Sequence, residues 1–157
     1  MPITKLAALS LVLLASLSVG AVFAQDVTVD PKIATMSNDE LVAARQNAMK
    51  EDGKALKAAL SGATGKDATA AAQTLLQNFT SFPALFKQGS ITAKSDALPI
   101  IWTEFDKFSA IFAGDAAQAK LMLAAAQSGD MAGYTAAGKA IGGSCGQCHM
   151  TYRKKDS

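Results

Sequence analysis

The stretch Cys145-Gly146-Gln147-Cys148-His149, near the end of the chain, decides how the rest of the sequence is interpreted. It holds both cysteines and the only histidine of the protein. In an exported protein, the C-x-x-C-H spacing is typical of a covalent attachment site for c-type haem. Two thiols three residues apart lie on one helix face, where they can add to two vinyl groups of one porphyrin. The motif therefore predicts one covalently attached haem c per chain, with His149 as proximal ligand.

The single histidine also limits what binds the other side of the iron. The remaining axial position belongs to a methionine, a lysine, a water molecule or no ligand. The same composition excludes a histidine-based catalytic centre. The sequence thus predicts a haem protein that is not an enzyme.

Residues 1–24 have the pattern of a cleaved secretory signal peptide. Lys5 supplies a positive charge, an apolar run covers residues 6–19, and small residues precede Gln25. An uncleaved membrane anchor is the alternative, but the apolar run is short for a spanning helix. We therefore expect export, cleavage and residence in the periplasm.

Residues 25–157 remain as one domain of 133 residues, a length that suits a single hydrophobic core. Removal of the leader takes away one lysine and leaves a net charge of +1, which gives no case for nucleic acid partners. Both cysteines lie in one motif, so no disulfide framework is predicted. No later apolar run is long enough to span a bilayer, so we expect no membrane insertion after cleavage.

Helical patterns cover almost all of this domain, and they predict helices over about 37–60, 67–81, 99–127 and 130–154. A capping box, Ser37-x-x-Glu40, marks the first start. Pro83 is expected to break or bend the second helix, and Gly114 to interrupt the third. Residues 25–35 are expected to be extended. Four amphipathic helices with short turns predict an all-α, antiparallel up-down-up-down four-helix bundle that encloses the haem.

The bundle topology points to Met49 as the methionine that reaches the iron. The end of the fourth helix lies beside the start of the first, whereas Met122 and Met131 fall at the far end. Met49 lies about 18 Å along the first helix, at 1.5 Å per residue, within reach of a haem that spans several turns. Gly53, one turn later, would leave room for the ring. The alternative for Met49 is an ordinary core thioether.

Arg45, one turn before Met49 on the same face, is suited to pairing with a haem propionate. Equally, it could be a solvated surface charge.

The chain resembles the class II c-type cytochromes, that is, the cytochrome c-prime superfamily with its low-spin relatives. The resemblance rests on residues 145–153 and on Arg45-Gln46-Asn47-Ala48-Met49, with a weaker element in Pro99-Ile100-Ile101-Trp102. It implies a four-helix bundle with thioether bonds from Cys145 and Cys148.

The resemblance also implies further contacts to the cofactor and a mode of assembly. Arg153 would lie near the proximal face, and Arg45 and Gln46 near the haem, with Trp102 as a further cofactor-binding candidate. Periplasmic redox proteins would be the partners. A homodimer formed through the first two helices is also suggested.

Two branches of this superfamily differ at the position of Met49. In the low-spin branch a methionine binds the iron, and the protein carries electrons. In the c-prime branch the iron is five-coordinate and binds nitric oxide or carbon monoxide, and Met49 would be a distal steric gate. The segment 49–54 favours the low-spin branch, whereas Arg45-Gln46 is more similar to c-prime. We expect the electron carrier.

Two haem-free interpretations of the motif are weaker. A thiol–disulfide oxidoreductase usually carries its C-x-x-C between a strand and a helix, whereas this motif ends an all-helical chain. A zinc site would lack a fourth cysteine or histidine ligand.

Overall fold

The computed structural model describes residues 27–155, so the predicted signal peptide lies outside the described residues. The described part consists of a 3-10 helix, Pro31–Thr35, and of five α-helices. These are α1 Asn38–Leu60, α2 Gly65–Leu85, α3 Ile100–Thr103, α4 Phe105–Ser128 and α5 Met131–Tyr152. The four long helices α1, α2, α4 and α5 form the predicted four-helix bundle. No helix between residues 27 and 155 is long and apolar enough to cross a membrane.

Local side-chain hydrogen bonds fix the starts of α1 and α5. Ser37 and Glu40 form the predicted capping box, in which each side chain accepts from the other residue's backbone N–H. At α5, the carboxylate of Asp130 accepts from the N–H of Gly133 at 2.9 Å. Gly129, just before it, has φ +77°, a left-handed conformation that glycine adopts without strain. Both helix starts confirm the sequence prediction to within a residue or two.

The second helix continues beyond its predicted end. The expectation that it stops near Ser81 because Pro83 breaks it was wrong, since α2 runs to Leu85 with Pro83 inside. Pro83 lies in the last turn, where its missing N–H costs one hydrogen bond only. Burial of Phe82 and Leu85 on the core side holds that turn helical.

The third predicted helix is interrupted at a different residue. It was expected to break at Gly114, but the break lies at Glu104, whose φ and ψ are −121° and 33°. The backbone leaves the helix at Glu104. Its carboxylate accepts hydrogen bonds from Lys107 and from the Tyr152 hydroxyl. Gly114 costs a helix only about 1 kcal/mol relative to alanine, and the surrounding buried face of α4 outweighs that cost.

Residues 31–35 also differ from the expected extended lead-in. The side chain of Asp30 accepts from the N–H of Lys32 at 2.9 Å, and Pro31 occupies the first turn of the short 3-10 helix. Proline suits that position because its fixed φ matches a helical start.

A cluster of phenylalanines fills the end of the bundle where α2 finishes and α4 begins. Phe82 stacks on Phe112 with ring centroids 4.8 Å apart. Phe86 meets Phe108 edge-on at 4.7 Å, and Phe108 meets Tyr152 of α5 at 5.2 Å. Edge-to-face and offset pairs add to the stability gained from burial alone. This apolar cluster lies beneath the end of α5 that carries the C-x-x-C-H motif.

The glycines of α5 lie in two different environments. A Cβ at Gly138 would lie 3.5 Å from Leu60, and one at Gly142 would lie 3.6 Å from Leu56, so this part of α5 packs on α1. A Cβ at Gly143 or Gly146 would meet nothing within 4 Å. Helix packing therefore accounts for part of the glycine content and leaves open space nearer the motif.

Candidate functional site

A cavity of about 390 Å³ opens at the end of the bundle where α5 finishes. Its walls come from α1, from the 86–99 loop that joins α2 to α3, and from α4 and α5. The apolar part of its lining is Phe86, Ile101, Phe108, Phe112 and Tyr152. The polar part comes from Arg45, Gln46, Lys50, Ser95, Asp96 and Arg153. A pocket with an apolar floor and a polar rim is typical of cofactor sites.

The motif of α5 faces this cavity. Cys148 is buried and lines it together with His149, whereas Cys145 is half-buried. His149 is exposed. Partial desolvation, and then the charge of Arg153, lower the pKa of His149. Both effects favour the neutral imidazole, the form that binds a metal ion.

Another wall of the cavity comes from α1 and contains Met49. Its half-buried side chain lines the same cavity as His149, so the structure brings together these two sequence-predicted residues. Gln46 and Lys50 flank Met49 and are exposed. A Cβ built at Gly53, one turn further along, would meet no heavy atom within 4 Å.

Arg45 is a buried residue with only 4% exposure, not a solvated surface charge. Its Nη1 donates to Leu85 O at 3.3 Å and to Ser90 Oγ at 2.9 Å. Its Nη2 donates to Ser90 O at 2.8 Å and to Ser95 Oγ at 2.7 Å. Desolvation lowers its pKa, and its guanidinium lies 4.5 Å from the centroid of Phe86. Arg45 thus holds the 86–99 loop against α1, and its pairing with a propionate stays a prediction.

The 86–99 loop is also joined to the end of α5. Leu98 donates its N–H to Tyr152 O at 2.9 Å, and Lys154 donates its N–H to Asp96 O at 2.8 Å. Arg153 pairs with Asp96 at 3.8 Å. These contacts bring Arg153 to the cavity lining, and its place near the proximal face of a haem stays a prediction. Gln46 donates to Lys94 O at 2.8 Å and connects the loop with α1.

Trp102 lies behind the cavity and is absent from its lining. Its indole N–H donates to Phe86 O at 3.0 Å and to Lys87 O at 3.1 Å. The contact fixes α3 against the end of α2. A role for Trp102 at the cofactor would therefore act through the position of Phe86.

Sequence reasoning missed a buried polar group next to the motif. Asp52 and Asp115 are each only 6% exposed. Asn78 donates to Asp52 at 2.8 Å, and Ser144 donates to Asp115 at 3.0 Å. One feature of the sequence could have revealed it. Asp52 lies on the same face of α1 as Ala48, Ala55 and Ala59, and a charged residue is rare on such an apolar face.

The chemistry of this site fits a covalently bound macrocycle better than free thiols. Burial raises the pKa of Cys148 to about 11 and also raises that of Cys145, with smaller contributions from Asp115. Thiol–disulfide exchange needs a thiolate, so these cysteines suit that chemistry poorly. Among residues 27–155, no group of three or more His, Cys, Asp or Glu side chains is placed to hold a metal ion. An apolar cavity lined by the Cys148 thiol and the His149 imidazole, with Cys145 three residues earlier on the same helix and outside the lining, fits a haem.

A four-helix bundle with C-x-x-C-H at the end of its last helix, facing an apolar cavity, defines a c-type cytochrome of class II. The sequence profile of the family described as Cytochrome C' matches residues 40–153. The chain belongs to this cytochrome c' family. Its cofactor is therefore covalently attached haem c, one per chain.

Individual relatives agree with this assignment. Cytochrome c-556 from Agrobacterium tumefaciens (strain II Chrys) is 44% identical over 86 residues, which cover 55% of this chain and 69% of that protein. Cytochrome c' from Pararhodospirillum photometricum is 36% identical over 124 residues, covering 75% and 99%. Among solved structures, a nitrosyl complex of a cytochrome c prime variant from Alcaligenes xylosoxidans matches with a TM-score of 0.65 and 27% identity, covering 76% and 98%.

Proposed function

We propose that this chain is a periplasmic electron carrier whose haem c is attached through Cys145 and Cys148, with His149 and Met49 as axial ligands. One observation carries the proposal: Met49 of α1 and His149 of α5 line the same cavity from two different helices. A thioether sulfur and an imidazole nitrogen are the pair of axial ligands used by electron-carrying c-type cytochromes. A bound haem c supplies a one-electron redox centre.

The residues around the cavity have separate tasks in this proposal. Phe108 and Phe112 form an apolar floor that keeps water from the cofactor. Gln46 and Arg153 lie at the polar rim, where they meet the more polar edge of the ring. Arg45 acts indirectly, because its hydrogen bonds hold the loop that closes one side of the cavity. None of these tasks requires a substrate, so the protein transfers electrons to redox proteins and is not an enzyme.

A second candidate function is gas binding by five-coordinate iron. Two solved structures similar to this chain are a nitrosyl complex and a nitric oxide complex of cytochrome c prime variants from Alcaligenes xylosoxidans, each with a TM-score of 0.65 and 27% identity. In that case Met49 would cover the distal side without binding the iron. The two candidate functions therefore differ in one feature, namely whether the sulfur of Met49 binds the iron.

The test is the optical spectrum of the purified holoprotein and its Met49→Leu variant, with carbon monoxide added to the reduced forms. For the electron carrier, the wild-type protein has sharp low-spin bands and little response to carbon monoxide. Met49→Leu keeps the side-chain volume but removes the sulfur, so it becomes high-spin and binds the gas. Wild-type protein that is already high-spin and binds carbon monoxide would replace this proposal with the gas-binding function.

Met150→Leu is the matched control. Met150 follows His149 directly and is 71% exposed, so its sulfur is not available to the distal side. Its spectrum should equal that of the wild-type protein. The periplasmic location is tested separately, by fractionation of cells that express the full chain and by N-terminal sequencing of the secreted product. Cleavage after residue 24 is the expected result.

A further inference from the structure

Besides the haem cavity, the interior of the bundle contains two buried carboxyl groups to which the electron-carrier function assigns no role. Asp52 projects from α1, three residues after Met49, and Asp115 projects from α4. Each is only 6% exposed. The side chain of Asn78 on α2 and that of Ser144 on α5 donate to these carboxylates at 2.8 Å and 3.0 Å. All four long helices therefore contribute to one buried polar site.

One oxygen of this site has no partner. Oδ1 of Asp52 accepts from Asn78, but Oδ2 is buried and finds no hydrogen-bond partner within residues 27–155. Burial of a carboxylate oxygen without a hydrogen-bond partner is strongly unfavourable, whereas a neutral carboxylic acid group is far easier to bury. The arrangement accordingly favours a proton on Asp52.

The electrostatics of the site agree with this geometry. Burial raises the pKa of Asp52 to about 7, and the hydrogen bond from Asn78 opposes the rise. The charges of Glu51 on α1 and of Asp115 on α4 raise it further. Burial also raises the pKa of Asp115, against the hydrogen bond from Ser144 of α5. A group poised near neutral pH responds to any new charge placed close to it.

Asp52 and Asp115 lie close to the proposed haem, whose iron changes its charge on reduction. Asp52 lies on the same helix as Met49, within one turn, and Ser144 directly precedes Cys145 in the motif. The carboxylates act on the electrostatics of both cysteine sulfurs, since Asp115 raises the pKa of Cys145 and Cys148, and Asp52 raises that of Cys145. Asp52 and the attachment point of the haem are thus electrostatically coupled.

We propose that Asp52, with Asp115 beside it, is a buried proton-binding site that takes up one proton when the iron gains one electron. The electron comes from a one-electron donor, and the iron goes from ferric to ferrous. The proton comes from solvent and forms an O–H bond at Oδ2 of Asp52, so the net charge of the interior stays constant. This inference rests on the proposed haem site and adds proton coupling to its electron transfer.

The test is the reduction potential of the holoprotein, measured by optical titration with mediators between about pH 5 and pH 9. We expect the equilibrium constant for reduction to fall by on the order of tenfold with rising pH, mostly around neutral pH. Asp52→Asn keeps the shape and the bond to Asn78 but cannot titrate, so most of this fall should disappear. Asp115→Asn removes a neighbouring negative charge and should move the fall to lower pH without abolishing it.

Asp106→Asn is the control, since Asp106 is an exposed residue of the same helix as Asp115. The reduction potential of the Asp106→Asn variant should depend on pH as that of the wild-type protein does. A potential independent of pH in the wild-type protein, or an undiminished pH dependence in Asp52→Asn, would overturn the inference. Infrared difference spectra of the wild-type protein give a second readout, which does not depend on the folding of a variant. Reduction should produce the carbonyl band of a protonated carboxylic acid, and its absence would also overturn the inference.

Failure of the haem assignment gives a different result. If the purified full chain retains no haem after denaturation, the proposed function itself fails. If haem is retained and the potential is flat with pH, only the proton site fails.

Discussion

Arg45 donates from Nη2 to the hydroxyl of Ser95 at 2.7 Å and thereby joins the middle of α1 to the 86–99 loop. The same guanidinium donates to the hydroxyl and to the carbonyl of Ser90. Because Arg45 is only 4% exposed, water does not compete for these hydrogen bonds. The position of the loop at the cavity rim thus depends on one buried cation with several neutral acceptors.

Arg45→Lys should destabilise the holoprotein by about 3 kcal/mol. An ammonium group cannot reproduce the planar fork that meets Ser90 and Ser95 together, and it leaves buried acceptors unpaired. Chemical denaturation followed by circular dichroism measures this loss. Gln46→Ala is the matched control, because it removes one exposed hydrogen bond to the same loop, worth about 1 kcal/mol or less. Equal losses in the two variants would show that burial of Arg45 is unimportant.

Much of the bundle follows from local signals in the sequence. The capping box at Ser37 and the turn at Gly129 fix helix starts through contacts within a few residues, so the pattern alone predicts them. Met49 and His149 were predicted to lie at the same end of the bundle from the antiparallel topology, and both line one cavity, whereas their binding to iron stays a prediction. To predict which residues share one end of a bundle, only the order of the helices and the helical rise per residue are needed.

The departures from prediction come from contacts between residues distant in sequence. Arg45 was expected at a propionate or in solvent, and its partners Ser90 and Ser95 lie about 45 to 50 residues further on. Glu104 leaves the helix beside Tyr152, which belongs to another helix. The hydrogen bond from Asn78 to the buried Asp52 joins two helices in the same way. Local propensity carries no information on such pairings.

Gly53→Leu should disturb the haem. Gly53 follows Met49 by one turn on the same face of α1, and a Cβ there meets nothing within 4 Å. A ring that lies over Met49 extends into that open space, so a leucine side chain would compete with it. We expect a loss of the low-spin bands or a lower haem content in the visible spectrum. Gly114→Leu is the control, since Gly114 is exposed, equally free of neighbours and on α4, not on the helix that carries the motif. An unchanged spectrum in Gly53→Leu would place the ring elsewhere.

Substitution of the two cysteines should reduce covalent haem in steps. Cys145→Ala and Cys148→Ala each remove one thioether, whereas the double variant removes both. On a denaturing gel stained for haem, the single variants should retain part of the signal and the double variant none. His149→Ala should keep some covalent haem but change its spectrum, because it removes the proximal ligand. Full labelling of the double variant would contradict attachment through this motif.

Asp52 should make the protein less stable as the pH rises. Its pKa is raised from 3.8 to about 7 on folding, so the folded state favours the protonated form. The stabilisation is complete below about pH 4 and is lost as the pH rises through about 7. At 1.36 kcal/mol per pKa unit, the loss is on the order of 4 kcal/mol. Asp52→Asn lacks this loss, so its free energy of unfolding should equal that of the wild-type protein near pH 4 and exceed it near pH 8. Urea denaturation at both pH values measures the difference, with Asp106→Asn as the exposed control. A variant that is less stable than the wild-type protein near pH 8 would show that Asp52 is buried as a stabilised carboxylate.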